Sequence, residues 1–548
     1  MGSNLLITCM LLSGFCGILS ELALFNLASM LLGGTNKTLL YTMGIMMFSM
    51  GIGSLLTETR WFQKLSFDYF AINELSLSFL CMTALPAIYL TASYNPLMTL
   101  PAVIGYSFLI GILIGMEIPL ILRLNEQLGL SLPKNSARVL MADYFGSLMA
   151  FAGFPMLMLP LLGLHFSGFA GGLINLILAL VAIVYFKQNL RWPRLCFILC
   201  SFQVLFSLWL GFTLPSIKAD SESRLFRDPV RFEHTTPYQT LVVTVDDNSS
   251  KTYHTRDHKL ATIQSTETSR GLVELNRILT RHGYSDVRLF INGALQFSTK
   301  DEHRYHETLI HPLLQLKPEA DQALILGGGD GLAARELLKH KGIKDILLVD
   351  LDRDLIELFQ KEPLASINKN SLTHQRVRAI GADAFWFLRT QPIKMPLIII
   401  DFPDPASLET ARLYSREFFV LLSEALHDDG CYAIQSSSPL FQRKVFLSVR
   451  KSMEAAGLKP ASMHINMQTF EEWGFHIGCK NLDPSEVQNK LQTFDYENLT
   501  TWLNRDALKA SLLFGKDTFD GYENIPINEL EHLAILDLQS RLNFKATN

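Results

Sequence analysis

The residues of this 548-residue chain best suited to chemistry are a glycine-rich segment and an acid that follows it. The segment is Gly327-Gly-Gly-Asp-Gly331, and it comes directly after the apolar run Ala323–Leu326. A glycine-rich turn between a strand and a helix lets the backbone approach a nucleoside, and an acid ending the next strand can bind the ribose hydroxyls. Asp350 lies about 20 residues after the glycine segment, which is the spacing expected of such an acid. Alone, this pattern fits NAD-dependent enzymes and methyltransferases equally well.

Asp330, inside the glycine segment, distinguishes between classes of donor. Its carboxylate would repel a pyrophosphate or the carboxylate of S-adenosylmethionine, and it would attract a donor whose tail ends in an ammonium group. Decarboxylated S-adenosylmethionine is such a donor. The Coulomb energy between close unit charges is on the order of a few kcal/mol at a protein-like dielectric, which is enough to select a donor. The alternative is that Asp330 caps the following helix, and the two roles are compatible.

A second acidic pair lies in the turn Asp401-Phe-Pro-Asp-Pro405, just after the apolar run Leu397–Ile400. One carboxylate could deprotonate an incoming amine while the other holds a cationic substrate. An acidic, proline-rich turn is also common on protein surfaces, so this pattern by itself leaves both interpretations open.

Short apolar runs alternating with helix-like stretches predict a parallel, doubly wound sheet of the Rossmann-like, methyltransferase type. In such sheets ligands bind at the carboxyl ends of the strands, where the glycine segment, Asp350 and Asp401 all lie. Earlier β-rich runs at Tyr238–Val245 and Val287–Gly293 predict a small β region before this sheet. The four runs assigned to the sheet are Ala323–Leu326, Ile346–Val349, Leu397–Ile400 and Gly430–Ile434.

The first 214 residues have a different composition, with only nine Lys/Arg and seven Asp/Glu. A helix needs about 20 apolar residues to cross the hydrocarbon core of a membrane, and about seven segments of this kind are present. The first lacks a basic n-region and a cleavage site, so a cleaved signal peptide is not expected. We therefore predict a multi-pass helical bundle in the cell membrane, with lipid as its partner. The segments are 5–31, 38–57, 70–92, 97–122, 139–163, 166–186 and 195–214.

The orientation of this bundle conflicts with the expected donor. Eight Lys/Arg lie in the loops after spans 2, 4 and 6, whereas only Lys37 lies in the loops after spans 1, 3 and 5. This bias places the N-terminus in the cytoplasm, so seven spans would place the remainder of the chain outside. A decarboxylated S-adenosylmethionine donor should be cytosolic. Either one span is re-entrant, or an eighth span is present, or the donor need not be cytosolic. The sequence therefore leaves open on which side of the membrane the soluble domain lies.

Three acids stand out within the predicted spans: Glu21, Glu117 and Asp143. Charged groups at membrane depth are costly and usually face a partner or a wet cavity. They indicate either a polar site inside the bundle, for example for a cationic amine, or hydrogen bonding between helices and snorkelling at span ends.

Charge and cysteine content exclude other classes of function. The net charge of −4 argues against nucleic-acid binding. The seven cysteines form no CxxC motif or Cys/His cluster, so neither a metal site nor a disulfide framework is predicted. The sequence is compatible with a homo-oligomer.

We predict five regions along the chain. They are a transmembrane helical bundle at 1–214, a linker at 215–235, a small β-strand region at 236–310, a Rossmann-like domain at 311–510 and a helical tail at 511–548.

Taken together, the motifs resemble the spermidine synthase (polyamine aminopropyltransferase) family, in its membrane-embedded branch. The resemblance covers about 235–480 in detail, and the N-terminal region agrees in kind. The matching motifs are Leu295–Lys300 with Asp301-Glu302 and Tyr305-His306-Glu307, Gly327–Gly331 with Arg335-Glu336, Asp350-Leu-Asp352, Gly381-Ala-Asp383, Asp401-xx-Asp404-Pro405 and Glu472–Phe475.

The resemblance implies a transfer of the aminopropyl group of decarboxylated S-adenosylmethionine to an amine, with no bound cofactor or metal. The default acceptor is putrescine, which would give spermidine and methylthioadenosine. The implied general base is Asp401. The implied donor-binding residues are Gln239, Gly327, Gly328, Gly329, Asp330, Asp350, Asp383 and Ala384. The implied acceptor-binding residues are Gln296, Tyr305, His306, Asp330 and Asp404.

Three departures from the family affect the acceptor side. Ala406-Ser-Leu-Glu-Thr replaces the usual Gly-Pro-Ala, a tyrosine is replaced near Met467–Gln468, and Glu471 stands where relatives often have glycine. Another amine acceptor therefore stays possible. The alternatives to aminopropyl transfer are a different S-adenosylmethionine-dependent transferase and a non-catalytic polyamine-binding or transport protein of the membrane.

Overall fold

The chain folds into two compact units, Met1–Val230 and Arg231–Asn548. The structure is a computed structural model, and it describes residues 2–32, 36–59, 66–226, 228–246, 268–282 and 286–540.

The described part of the N-terminal unit consists of helices and short connections, up to the strand residue Val230. The main helices are α1 (Gly2–Leu32), α2 (Ile45–Leu56), α3 (Ser66–Tyr94), α4 (Thr99–Gln127), α5 (Leu132–Gly153), α6 (Leu159–Tyr185) and α7 (Pro193–Leu225). A short helix, Asn36–Leu39, precedes α2, and the π-helical turns Leu40–Gly44 and Phe154–Met158 precede α2 and α6.

Five helical stretches among the described residues are long and apolar enough to cross a membrane. One of them, Leu132–Tyr185, has 54 residues and contains α5 and α6, with a break at Gly163. At 1.5 Å per residue it is roughly 80 Å long, more than twice the hydrocarbon thickness of a bilayer. The apolar stretch Leu40–Leu56 is shorter. The count of about seven spans stays a prediction.

Helix α7 continues beyond the apolar segment into the predicted linker. Lys218 and Glu222, one turn apart, form an ion pair of 3.4 Å that supports the helix as far as Leu225. Strand β1 then begins at Val230. The predicted linker at 215–235 is therefore mostly helix and strand.

The C-terminal unit begins with a four-stranded sheet of order β1-β2-β3-β4. Its strands β2 and β3 correspond to the two β-rich runs of the sequence and pair antiparallel. The predicted turn at 246–250 lies largely outside the described residues. The elements of this region are β1 (Val230–Thr235), β2 (Thr240–Asp246), α8 (Thr268–His282), β3 (Asp286–Ile291) and β4 (Ala294–Ser298).

A seven-stranded sheet of order β10-β11-β9-β8-β5-β6-β7 follows. The pairs β5/β6, β6/β7, β5/β8 and β8/β9 are parallel, whereas β9/β11 and β10/β11 are antiparallel. The strands are β5 (Gln322–Gly327), β6 (Asp345–Asp350), β7 (Val377–Gly381), β8 (Met395–Asp401), β9 (Leu426–Gln435), β10 (Ala461–Met467) and β11 (Glu471–Cys479). The main helices are α9 (Glu302–Leu316), α10 (Leu332–Leu338), α11 (Arg353–Phe359), α12 (Ala384–Thr390), α13 (Arg416–Ala425), α14 (Arg443–Ala455), α15 (Pro484–Lys490), α16 (Arg505–Ser511) and α17 (Ala534–Ser540).

The central strands are apolar because both faces of the sheet are covered. In β5, Ala323 and Ile325 pack into one core cluster, while Leu324 and Leu326 pack into the other on the opposite face. Burying one such aliphatic side chain contributes roughly 1.5–3 kcal/mol. These clusters hold the sheet rigid, so the residues at its carboxyl edge have fixed positions.

The prediction that no disulfide forms was wrong. Cys431 in β9 and Cys479 in β11 are register partners and form a disulfide across the two strands. They are 48 residues apart in sequence, so only strand pairing brings them together.

The predicted helical tail at 511–548 is helical only in part. Among residues 512–540, helix α17 and the short 3-10 turn Tyr522–Asn524 are the helical elements. Residues 541–548 lie outside the described part of the chain.

Candidate active site

The glycine segment lies against the end of strand β8. Because β5 pairs with β8 in parallel, Gly327 is the register partner of Asp401. The amide of Gly328 donates a hydrogen bond of 3.1 Å to the main-chain oxygen of Asp401. Gly327 has a φ of +85°, and a β-carbon there would collide with that same oxygen. Only glycine allows the loop to come so close to Asp401.

Asp350 ends the neighbouring strand β6 and binds the same loop. Its Oδ2 accepts a hydrogen bond of 2.9 Å from the amide of Gly329, and its Oδ1 accepts one of 2.8 Å from Asp352. Desolvation raises the pKa of Asp350 to about 6, against these two hydrogen bonds. Each carboxylate oxygen still has a second lone pair for an external donor such as a hydroxyl.

Gln239 is positioned by the second acid of the Asp350-Leu-Asp352 motif. Its side-chain amide donates a hydrogen bond of 2.7 Å to Asp352, and the Thr236 hydroxyl donates another of the same length. Asp352 also caps helix α11. The four-stranded sheet is thereby joined to the large one next to Asp350. The sequence motif contained Asp352, but its pairing with Gln239 depends on the fold.

Asp330 contacts the N-terminal end of helix α10, which is the alternative role that the sequence suggested for it. Its Oδ1 accepts a hydrogen bond of 2.9 Å from the amide of Leu332, the first residue of α10. Desolvation raises the pKa of Asp330 to about 6; His306 lowers it and Asp401 raises it further. A carboxylate held among other acids is a good site for a cation, because a bound ammonium would favour its charged form.

Asp401 receives a hydrogen bond from helix α9. The Tyr305 hydroxyl donates to Oδ1 of Asp401 at 2.7 Å, and Nε2 of His306 lies 3.9 Å from Oδ2. Burial and the charge of Asp401 raise the pKa of Tyr305 well above its usual value, so the phenol keeps its proton. The side chain of Asp401 is 10% exposed. Tyr305 thus fixes the orientation of the Asp401 carboxylate through Oδ1, while Oδ2 faces the imidazole of His306.

His306 carries a positive charge because of a buried acid in its own helix. Its Nδ1 lies 2.9 Å from Glu302. Burial disfavours the imidazolium, but the hydrogen bond to Glu302 and the charges of Glu302, Asp401 and Asp330 raise the pKa of His306 to about 9. The histidine is thus protonated at neutral pH.

Arg335 holds Glu302 from the opposite side. Two of its guanidinium nitrogens each lie 2.8 Å from a carboxylate oxygen of Glu302. Burial acts to raise the pKa of Glu302, but the hydrogen bonds from His306 and Arg335 lower it to about 2. Both residues belong to motifs quoted from the sequence, yet they had no assigned role.

Asp404 is held by a residue that the sequence analysis missed. The Ser437 hydroxyl donates a hydrogen bond of 2.7 Å to Asp404, and the amide of Ser437 donates to the side chain of Gln435. Ser437 has a φ of +59° and is fully buried. Desolvation raises the pKa of Asp404 to about 6. No sequence motif marks Ser437, because it reaches Asp404 only through the pairing of β8 with β9.

The remaining predicted residues lie around this cluster. Asp383 caps α12 through the amide of Trp386, at 3.0 Å, and forms an ion pair with Arg412. Ala384 is buried beside it. Gln296 is not tied to the acids by its side-chain hydrogen bond, because its amide donates to the carbonyl of Ala294 in the same strand.

The arrangement brings three carboxylates together at the edge where β5 and β8 end. Asp330 lies in the loop after β5, Asp401 ends β8, and Asp404 follows it three residues later. One face of this cluster carries the protonated His306 and the hydroxyl of Tyr305. Such a site can hold a cationic ligand and remove a proton from an amine.

Comparisons with known proteins identify the family of this chain. A family model described as the spermine/spermidine synthase domain matches residues 302–490. The polyamine aminopropyltransferase 1 of Streptomyces coelicolor is 33% identical to this chain over 94% of it and 90% of the relative. That of Leptospira interrogans is 32% identical over 96% of both chains, and polyamine aminopropyltransferase 2 of Aquifex aeolicus is 33% identical over 96% of this chain and 97% of the relative. The N-terminal unit is thus part of the similarity.

Solved structures are also similar. The crystal structure of spermidine synthase from Thermotoga maritima is 21% identical and covers 54% of this chain and 88% of its own, with a TM-score of 0.42. A spermidine synthase in complex with the transition state analogue AdoDATO has the same identity and coverage, with a TM-score of 0.43.

Proposed function

This chain belongs to the polyamine aminopropyltransferase family and is an enzyme of that class, and from this premise we propose that it transfers the aminopropyl group of decarboxylated S-adenosylmethionine to putrescine. The observation that carries the proposal is the cluster of Asp330, Asp401 and Asp404 at the ends of β5 and β8. Its three carboxylates suit two substrates that both carry ammonium groups.

The residues of the cluster have separate roles in this reaction. The loop Gly327–Gly329 and Asp350 bind the nucleoside of the donor, and Asp330 binds its terminal ammonium. Asp404, placed by Ser437, binds the distal ammonium of the acceptor. Asp401 takes the proton of the reacting amine, while Tyr305 fixes its orientation.

In the chemical step, the neutral amine nitrogen attacks the methylene carbon next to the sulfonium. The new carbon–nitrogen bond forms as the carbon–sulfur bond breaks. The electron pair of the broken bond stays on the sulfur, so the sulfonium becomes the neutral thioether of methylthioadenosine. A primary amine is almost fully protonated at neutral pH, and only the neutral form can attack. The transfer of its proton to Asp401 is therefore essential. A well-placed general base typically contributes 10²–10⁴-fold to the rate.

The proposal is tested by turnover of the purified full-length chain in detergent. Decarboxylated S-adenosylmethionine and putrescine are supplied, and methylthioadenosine is followed by mass spectrometry. We expect product from the native protein and a loss of at least about 10²-fold in Asp401→Asn. Measurable nucleoside binding without product from any amine in a panel would refute aminopropyl transfer; product from other amines alone would refute putrescine as acceptor.

We also propose that the N-terminal unit is embedded in a lipid membrane. Five apolar stretches are long enough to cross one. Large apolar side chains are exposed both on these stretches, as at Phe212, and on the shorter apolar helix, as at Met47 and Phe48. Contiguous apolar surface of this kind needs a non-aqueous environment. Alkaline carbonate extraction is expected to leave the chain in the membrane pellet, and release into the supernatant would contradict the proposal.

A reporter at the C-terminus tests the orientation. A cytoplasmic signal would indicate an even number of crossings from a cytoplasmic N-terminus and would give the enzyme access to a cytosolic donor. An external signal would agree with seven spans and would require a donor supply outside.

A further inference from the structure

The helical bundle contains a pair of buried acids, only one of which was noticed in the sequence. Glu74 in α3 and Glu117 in α4 are both fully buried, and their charges interact directly. Asn73, next to Glu74, donates a hydrogen bond of 3.1 Å to the carbonyl of Leu113, which lies one turn before Glu117. This contact between helices places the two carboxylates on the same seam. Glu21, which the sequence suggested, lies outside this pair.

Both acids lie far from the ends of their helices. Glu74 is eight residues after the start of α3, and Glu117 is ten residues before the end of α4. These separations correspond to roughly 12 and 15 Å along the helix axes. A glutamate side chain cannot span that distance to reach an aqueous interface, so snorkelling does not explain these residues.

The two carboxylates have few partners among the described residues. Neither oxygen of the Glu74 carboxylate accepts a hydrogen bond there, and neither Glu74 nor Glu117 forms an ion pair with a lysine or arginine. The hydroxyl of Ser13 lies at the carboxylate of Glu117, and Asp143 adds a further acidic group near it. Buried polar groups in native proteins are usually satisfied, and charged groups in a membrane interior are usually paired. Two adjacent buried acids of this kind are neutralised either by protons or by a cation from outside the chain.

A third helix directs a further unsatisfied polar group toward the same place. The Ser78 hydroxyl donates a hydrogen bond of 2.8 Å to the carbonyl of Gly172 in α6. Because α3 and α6 run antiparallel here, Glu74 and Asn175 each lie one turn from this bond on the same side. Asn175 is fully buried, and within the described residues both polar atoms of its side chain lack a hydrogen-bond partner.

We propose that Glu74 and Glu117, with Asn175 and the hydroxyl of Ser13, form a binding site for an organic ammonium ion inside the helical bundle. Two carboxylates supply compensating charge, and the amide and hydroxyl supply further acceptors. The same acids also interact with the thiols of Cys16 and Cys81, which are weak ligands that act mainly as small apolar groups. Ca²⁺ takes six to eight oxygen ligands and Mg²⁺ keeps several of its own waters, whereas an alkylammonium ion needs few acceptors and gains from contact with apolar side chains.

The identification of the cation as an amine rests on the proposed function, because substrate and product of that reaction are amines. A site in the bundle would give the membrane unit a ligand in common with the catalytic unit. Binding to the bundle and turnover by the soluble domain are separately measurable, so the two proposals can fail independently.

The test is the stoichiometry of radiolabelled putrescine on the purified full-length chain in lipid nanodiscs. We expect two amines per native chain and one in the double variant Glu74→Gln/Glu117→Gln, with turnover changed less than twofold. The control is Glu21→Gln, the same chemical change in the same bundle, which should still bind two. Asp404→Asn should lose the other amine and keep the one in the bundle.

Two results would overturn the inference. They are a double variant that binds as many amines per chain as the native protein, and a site lost in the double variant that binds labelled sodium but not putrescine. If the double variant does not fold, each single Gln variant is expected to weaken the bundle site at least tenfold, and unchanged affinity in both would overturn it equally. Absence of turnover with two bound amines would instead refute the proposed function and leave this inference standing.

Discussion

The hydroxyl of Tyr305 donates a hydrogen bond of 2.7 Å to Oδ1 of Asp401. This bond uses one oxygen of the carboxylate and leaves Oδ2 facing the glycine loop, where a β-carbon at Gly328 would lie only 3.0 Å away. The proposed base is thereby presented to the site in one orientation. Orientation of this kind lowers the entropy lost when the reacting groups meet.

We expect Tyr305→Phe to lower kcat about 10- to 100-fold with little change in the KM of either substrate. A hydrogen bond to a charged group is worth roughly 1.5–3 kcal/mol, and this one positions the base rather than a substrate. Steady-state kinetics of the variant provide the measurement. Tyr432→Phe removes a buried hydroxyl that faces the main chain of Lys459 and not Asp401, and it should leave kcat unchanged. A change confined to KM in Tyr305→Phe would contradict the role.

Asp330→Asn should weaken donor binding selectively. The variant loses the charge that attracts the aminopropyl ammonium, so we expect the KM of decarboxylated S-adenosylmethionine to rise at least about tenfold, since tenfold corresponds to about 1.4 kcal/mol. Methylthioadenosine lacks that group, and its Kd, measured by calorimetry, should stay the same. Asp345→Asn, at the opposite end of the sheet, serves as the control. If the donor and methylthioadenosine lost affinity equally, Asp330 would only hold the glycine loop in place and would not bind the ammonium group.

Ser437→Ala should raise the KM of the acceptor and leave that of the donor unchanged. The variant removes the 2.7 Å hydrogen bond that positions Asp404, which is worth roughly 1.5–3 kcal/mol when the acceptor is charged. The neighbouring Ser436 is an internal control, because its buried hydroxyl has no hydrogen-bond partner within the described chain. If Ser436→Ala and Ser437→Ala had the same effect, the assignment would be wrong.

Activity should depend on pH through Asp404. Desolvation raises its pKa to about 6, above the usual value for aspartate, so the group is charged only above that pH. At lower pH it is neutral and no longer attracts an ammonium ion. With saturating donor, we expect the ratio of kcat/KM for the acceptor between native enzyme and Asp404→Asn to fall toward one as the pH drops through about 6. A ratio that does not change between about pH 5 and 8 would contradict this prediction.

Arg335→Gln should destabilise the chain strongly. It leaves Glu302 buried without its bidentate partner, and breaking a buried ion pair costs about 3–5 kcal/mol. Thermal unfolding followed by tryptophan fluorescence should show a clear fall in Tm. Arg353→Gln breaks an exposed ion pair with Glu357, which is worth at most about 1 kcal/mol, and should leave Tm almost unchanged.

Much of the site followed from local sequence. The glycine segment, Asp350 and Asp401 lie at strand ends because apolar runs of parallel strands stop where polar groups meet solvent, and this pattern is visible in a linear chain. The apolar helices of the N-terminal unit were recognisable for a similar reason, since their length and composition reflect the environment that they need.

Contacts between distant segments were decided by the tertiary structure. Strand pairing brings Ser437 to Asp404 and Cys431 to Cys479, and helix packing puts Glu74 beside Glu117 while leaving Glu21 apart. Such contacts depend on register and helix rotation, which result from the packing of the whole core and leave no local signature. The sequence by itself therefore determined which chemical groups are present and near which strand ends they lie. Only the folded chain decided which of them share a hydrogen bond or a charge.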